Sequence, residues 1–306
     1  MWFKNLSIFR LLEPLVLDRM HMEGCLHQQV HRACSALESF SLGWIPPLGS
    51  QHGALSHFSE NRVLFTLQRE DKVLPASTIR DHLQERVEKL YEAEGRVVGR
   101  KVREALREEV LQDLLPKAFS QKQKISGYID LDKAWLVVDT QSAKKAEDFV
   151  SLLRKSLGSF AVKPFATQTQ PALVMTEWVR TGELPPMFSL EAECELKTIE
   201  KTGSVIRCQR QELVSLELKS HLDAGKHVDK LGLSFDDRLG FVLGDDWVFR
   251  KLKFLDLMQE EAATSRDSSD EVQFDADFTL MSREINRMIE FLQTSFGGAP
   301  SDHKNI

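Results

Sequence analysis

Apolar positions along the chain change period several times, and each change predicts an element. Residues 1 to about 75 mix short apolar runs with polar connections. Val63-Leu64-Phe65-Thr66-Leu67 has the β-branched and aromatic content of a strand. Gly43-Trp44-Ile45-Pro46-Pro47-Leu48-Gly49 predicts a turn-rich connection, because consecutive prolines continue neither a helix nor a central strand. After Pro75 the period becomes helical, with Ile79, Leu83, Val87, Leu90 and Tyr91 on one face and Ser77 or Thr78 as N-cap. A second helical series, Val98, Val102, Leu106, Val110 and Leu114, runs to Pro116. Either an antiparallel helix pair or one bent helix fits; Gly95 and Gly99 favour the pair, since each weakens a continuous helix by about 1 kcal/mol relative to alanine.

Ile125 to Asp139 predicts a hairpin around Asp132-Lys133 whose second strand, Ala134 to Val138, is buried, with Asp130 and Asp132 sharing a strand face. A helix capped by Ser142 follows, with Ala146, Phe149, Val150, Leu153 and Leu157 inward and Gly158 as its stop. A strand from Phe160 to Lys163 and a helix from Ala172 to Arg180 come next. Met187 to Phe254 offers five short strands, with turns at Lys201-Thr202-Gly203, Asp236-Asp237 and Gly244-Asp245-Asp246, and one helix from Glu212 to Asp223. Two terminal helices, one near Asp256 and one from Asp277 to Phe296, flank a polar loop. The rhythm is not βαβ, so the fold class expected is α+β with mixed, largely antiparallel sheets and a projecting helical subdomain. The expected divisions are 1–75 and 117–186 as the α/β parts of a central region, 76–116 as the helical projection, and 187–306 as a C-terminal antiparallel sheet with terminal helices.

Composition adds little until charge is mapped along the chain. The 306 residues, 42% hydrophobic, suffice for a sizeable core and about two domains. The net charge of -6 does not by itself suggest a partner of nucleic acid. Asp256 to Asp277, however, holds eight acids and one base, so everything else sums to +1. Lys117 to Lys163 carries nine bases against five acids, and Lys197 to Lys230 seven against five. This segregation permits a basic surface on an acidic protein, although a solvated face is the commoner meaning of any one charge run. The 76–116 segment, with eight bases and nine acids, does not read as an intrinsically basic DNA clamp. Four dispersed cysteines, no secretion signal and no apolar stretch of about 20 residues point to a cytoplasmic protein with reduced thiols and no membrane partner.

Most catalytic chemistry fails on spacing. Gly225-Lys226 is followed by His227 and has Ser220 where a phosphate-binding loop needs glycine; no Gly-x-Gly-x-x-Gly or Gly-x-Ser-x-Gly occurs. His21, Cys25, His27, His31 and Cys34 form the densest set of potential metal ligands, and on a helix His27, His31 and Cys34 would share a face. No second cluster closes a tetrahedral set, so neither metal nor cofactor is expected. Glu195-Leu196-Lys197 and Glu217-Leu218-Lys219 fit the Glu-x-Lys of magnesium nucleases but lack a clear Pro-Asp element; Glu195-Leu196-Lys197 with an acidic cluster is the enzymatic alternative. The expectation is a non-enzymatic binder of phosphate. Lys117, Lys122, Lys124, Lys144, Lys145, Arg154, Lys155, Arg207, Arg210, Lys219, Lys226 and Lys230 supply the charge, and no motif reads base edges.

Seven blocks carry a resemblance: Trp2 to Leu6, Gly43 to Ser50, Leu114 to Ser120, Ser142 to Asp148, Leu152 to Ser159, Thr176 to Arg180 and Phe274 to Phe278. In content and order they resemble the recombination-associated RdgC family of proteobacteria. The resemblance implies a ring-shaped homodimer that encircles double-stranded DNA without strong sequence preference, associates with the nucleoid and restrains RecA-promoted strand exchange. It further implies that protomers meet at two places around a basic hole, with Phe119 at the smaller, openable contact, the gate; an ordinary core phenylalanine is the alternative for that residue. Where the family tends to have basic residues after Arg207, Gln209 takes one place and Arg210 the other. The acidic segment from Asp256 is expected to face away from DNA. Occupying the duplex would deny it to RecA without catalysis; direct contact with RecA is the rival mechanism.

Overall fold

In the computed structural model, which describes residues 2–15, 18–198, 200, 203–263 and 269–300, every ladder is antiparallel and the strands form two sheets. The larger is built from β1 (Ser7–Leu11), β2 (Phe40–Ile45), β3 (Ser56–Ser59), β4 (Arg62–Val73), β5 (Phe119–Asp130), β6 (Trp135–Val138) and β7 (Val162–Pro164). Its order is β2-β4-β5-β6-β1-β7, with β3 also pairing β4. The smaller has the order β12-β11-β10-β8-β9, from β8 (Phe188–Lys197), β9 (Val205–Gln209), β10 (His227–Phe235), β11 (Leu239–Gly244) and β12 (Phe249–Phe254). The helices are α1 (Arg19–His27), α2 (Ala76–Glu94), α3 (Arg100–Leu114), α4 (Ala143–Leu157), α5 (Pro171–Thr181), α6 (Leu216–Asp223), α7 (Asp256–Ala263) and α8 (Asp270–Ser295).

Period-two alternation sorts the larger sheet's side chains between two cores. Val63, Phe65, Leu67, Ile125, Ile129, Leu136 and Val138 pack with α1 and α4, while Leu64, Tyr128, Trp135 and Val137 face the opposite side. There they meet Phe278, Met281, Ile285 and Ile289 of α8, whose Phe291 packs on Phe235 of the smaller sheet, while Phe296, just past the helix, packs on Trp247 in the turn between β11 and β12. The layers therefore run α1 and α4, larger sheet, α8, smaller sheet. Leu6 and Phe249 exchange both backbone hydrogen bonds at 2.9 Å, tying the N-terminal segment to β12. Asp130 sits in the α8 seam at 2% exposure, accepting from Arg62 Nε at 2.9 Å and from Asn286 Nδ2, while Tyr128 donates to Asn286 Oδ1 at 2.9 Å.

The structure corrects several sequence expectations. Residues Gly43 to Ile45 belong to β2, and only Pro46 to Gly49 make the turn. Gly43 is there for proximity: a Cβ would stand 2.3 Å from the His31 Cα, so the glycine lets that backbone lie on the strand. The pair α2–α3 forms as expected, with Gly95 left-handed at φ 66, but Pro75, neither Ser77 nor Thr78, occupies the N-cap. Asp132 lies in the turn after β5 and binds Asn61, so it shares no strand face with Asp130. α8 begins at Asp270, ahead of the residues fully buried from Phe278 on, because Phe274 packs edge-on against His57, whose Nε2 lies 2.9 Å from Asp275, and an acidic first turn suits the helix N-terminus. α6 starts at Leu216, capped by Ser215, which accepts from Leu218 N. Lys201 and Thr202 of the first turn in the C-terminal region lie outside the described residues.

Candidate nucleic-acid interface

β4 and β5 stay in register over twelve pairs, from Arg62 with Asp130 to Val73 with Phe119. The inner half of β5, Ile125 to Asp130, is buried, and the outer half, Phe119 to Lys124, is exposed at every position. The two strands make a long ribbon, flanked by β2 along β4 as far as Asp71 and open along the outer half of β5, that carries α2 and α3 at its end. Within those helices only Leu83 and Val110 are buried, which makes the pair a projection.

The ribbon displays Lys122 and Lys124, and Lys117 stands in the helical turn Leu115–Lys117 just before β5. Lys122 lies 3.8 Å from Glu70, a carboxylate only 4% exposed whose other neighbour, His31, is also at 3.8 Å. Burial pushes the His31 imidazole down from its ordinary value, against the opposing pull of Glu70. Lys117 and Lys124 have no acidic partner among the described residues. Phe119, opposite Val73, is 87% exposed, so it is not a core residue.

A second group rides on α4, whose apolar face is fixed by Phe149, Val150 and Leu153. Gly127 opposite it makes room for the Phe149 ring, which a Cβ would approach to 2.9 Å. Lys144 and Lys145 fall in the first turn, which holds no acid. They add charge to the end of the helix that is already positive, a placement unfavourable to the helix and favourable to an anion. Arg154 and Lys155 lie in the last turn, where Arg154 Nε donates to the Phe160 carbonyl at 3.3 Å.

The third group is largely neutralised. Glu195, 8% exposed on β8, accepts from Arg207 Nε at 2.8 Å through one oxygen and from Lys230 Nζ at 2.9 Å through the other. Burial works to raise its carboxyl, but these hydrogen bonds outweigh burial and hold it at about 2. Lys197 Nζ donates to Asp229 at 2.6 Å, and Asp229 also lies 3.6 Å from Lys230. The sequence brings Arg207 and Lys230 together, but as partners of buried acids. The Glu195-Leu196-Lys197 tripeptide is likewise consumed by this network. Arg210, Lys219 and Lys226, in contrast, have no acidic partner among the described residues; Arg210 and Lys219 are exposed and Lys226 is half-buried.

The proposed shared helical face of His27, His31 and Cys34 does not form, because α1 ends at His27. His31 turns to Gln68 Nε2 at 3.1 Å, and the Cys34 thiol donates to the Glu70 carbonyl at 3.2 Å. Among the described residues no group of three or more His, Cys, Asp or Glu side chains is arranged to hold a metal ion, and no helix is long and apolar enough to cross a membrane.

One basic feature escapes an overall charge count. The connection from Gly95 into α3 contains Arg96, Arg100, Lys101 and Arg103 with no acid between them, around Val97 at 87% exposure. Arg96 pairs with Glu94 at 2.7 Å and Arg100 with Glu104 at 3.1 Å, while Lys101 and Arg103 have no acidic partner among the described residues. The segment's near-neutral total concealed this sorting; a window of eight residues over 96–103 would have found it.

Comparison with known proteins gives this surface a context. The model of the family described as "Putative exonuclease, RdgC" matches residues 1–299. Proteins named "Recombination-associated protein RdgC" match almost end to end. That of Tolumonas auensis is 40% identical over 302 residues, 99% of this chain and all of the relative. That of Psychromonas ingrahamii is 38% identical over 98% of this chain and all of the relative, and that of Proteus mirabilis 41% over 97% and 99%.

Proposed function

Because the chain belongs to the RdgC family of recombination-associated proteins, we propose that it binds double-stranded DNA without strong sequence preference, as a ring-shaped homodimer that encircles the duplex. On this reading it restrains RecA-promoted strand exchange at the nucleoid by occupying the duplex, with no catalytic step. The observation that carries the reading is the set of cations without acidic partners: exposed Lys117 just before β5, exposed Lys124 on the ribbon, and exposed Lys144 with half-buried Lys145 in the first turn of α4. Such cations contact phosphate at no cost of breaking an ion pair, and phosphate contacts position a protein without reading sequence. Arg207 and Lys230 enter less strongly, since their charge is already met by Glu195 and Asp229. A two-fold dimer presents each patch twice around one hole. Phe119, apolar and exposed at the ribbon's edge, suits a contact that buries it against a second copy, the gate.

The decisive experiment compares closed circular, nicked and linear duplex of equal length under a salt challenge. With about six phosphate contacts per duplex, affinity should fall roughly a thousandfold between about 50 and 200 mM salt. Encirclement predicts that closed and nicked circles, which both lack ends, resist the challenge while linear duplex is released; equal release of all three removes the ring.

The family description favours one second reading, a magnesium-dependent nuclease using Glu195 and Lys197. A metal at Glu195 would have to displace Arg207 and Lys230 from its two oxygens. Incubation of labelled duplex with magnesium decides it: cleavage abolished by Glu195→Gln would replace the binding-only reading.

A further inference from the structure

We propose that Cys194 and Cys208 are a reversible redox latch, a cross-strand disulfide that fastens the edge strand β9 to β8. The two residues are direct partners in the β8–β9 ladder. Arg210 N donates to the Ala192 carbonyl at 2.7 Å and Thr198 N to the Ser204 carbonyl at 3.3 Å, an even number of residues to either side of the pair. Antiparallel pairing alternates, so Cys194 and Cys208 form a hydrogen-bonded pair with Cα atoms about 5.5 Å apart. A disulfide spans Cα separations of about 4.4 to 6.8 Å.

Both thiols are free and turned into the apolar core, at 2% and 7% exposure. On the opposite face of the same strands, Glu195, Arg207 and Lys230 form the ion-paired group, so the two thiols lie directly beneath that group across the sheet. Two further features supply backbone freedom. β9 has a partner on one side only, and the β8–β10 ladder shifts register immediately beside Cys194, between Leu231 and Leu233. Burial, with Cys208 beside it, pushes the Cys194 thiol up to about 12, so exchange proceeds from a state in which β9 has opened.

The oxidant is a low-molecular-weight disulfide of the glutathione class. The Cys208 thiolate, its proton released to water, attacks one sulfur of that disulfide, giving a mixed disulfide and one small thiolate. Cys194 then loses its proton, attacks the Cys208 sulfur and expels the second small thiolate. Both leaving thiolates take up protons, so two protein thiols are oxidised and one small disulfide is reduced to two thiols. The next rung is Glu195 with Arg207, so closing the latch also fixes how Arg207 is presented. Only that last consequence rests on the DNA-binding reading.

The test uses the full chain carrying Cys25→Ser and Cys34→Ser, which leaves these two thiols alone. In oxidised glutathione without denaturant, the protein should lose both thiols and two hydrogens of mass, with no retained glutathione. Exchange of the β9 amides should slow by about tenfold or more, and dithiothreitol should reverse both changes. Adding Cys194→Ser should instead leave Cys208 as a stable glutathione adduct. Persistence of both thiols, glutathione retained on each, or closure only after unfolding in urea would overturn the latch. None of these readouts needs DNA, so failure of the latch and failure of DNA binding are told apart.

Discussion

Glu195 shows how one side chain decides what its neighbours can do. Its carboxyl, held at about 2 against an ordinary 4.5, is a case of a depressed acid. Its contribution to stability is present above pH 4.5 and is lost as pH falls through about 2. Urea midpoints measured across that window should fall for the native protein and stay flatter for Glu195→Gln, which lacks the titrating group. Phe119 poses the opposite case, a large apolar side chain with almost no intramolecular contact. Phe119→Ser should leave the unfolding midpoint of the monomer within about 0.5 kcal/mol of the parent and raise the monomer fraction in sedimentation. A destabilised monomer with an unchanged dimer fraction would return Phe119 to a structural role. The sequence leaves the burial of Phe119 open, because a phenylalanine beside a proline-terminated helix reads the same whether packed or displayed.

At the scale of elements, α4 separates structural from functional charge. Replacing Lys144 and Lys145 with glutamate puts acids at the positive end of the helix, which should stabilise it by about 0.3–1 kcal/mol while weakening DNA retention. A rise in melting temperature together with weaker filter retention would be hard to obtain from damage to the fold; unchanged retention would remove both lysines from the interface. Gly127→Ala tests the packing beneath, since its Cβ meets the Phe149 ring at 2.9 Å; overpacking of this kind costs about 1–3 kcal/mol. α4 was legible in the sequence because its apolar face repeats cleanly between a cap and a glycine. The outer half of β5 was not. Ser120-Gln121-Lys122-Gln123-Lys124 has no alternation of apolar residues, and only the ladder to β4 holds it extended. β2 was misread for a related reason: Gly43 and the Pro46-Pro47 pair look like punctuation, yet the glycine serves a close backbone approach within a strand. Charge was legible as position along the chain but not as pairing. Arg207 and Lys230 counted as available until Glu195 came beside them through the fold.

Over the whole molecule, the seam along α8 makes the two sheets one body. Asp130, Arg62, Asn286 and Tyr128 satisfy one another inside it, and burial, with Asp130 beside it, raises the Tyr128 phenol well above its ordinary value. Removing one member of a buried charged set costs about 3–5 kcal/mol. The same body supports a ribbon whose strands remain in register up to Val73 and Phe119. Everything between those two residues, α2 and α3 included, is therefore an interchangeable cassette at the apex of an ordinary hairpin. A two-residue Asn-Gly turn in its place should yield a shorter protein that folds with the parent's core, and swapping cassettes between relatives should transplant whatever the tip touches without rebuilding its support.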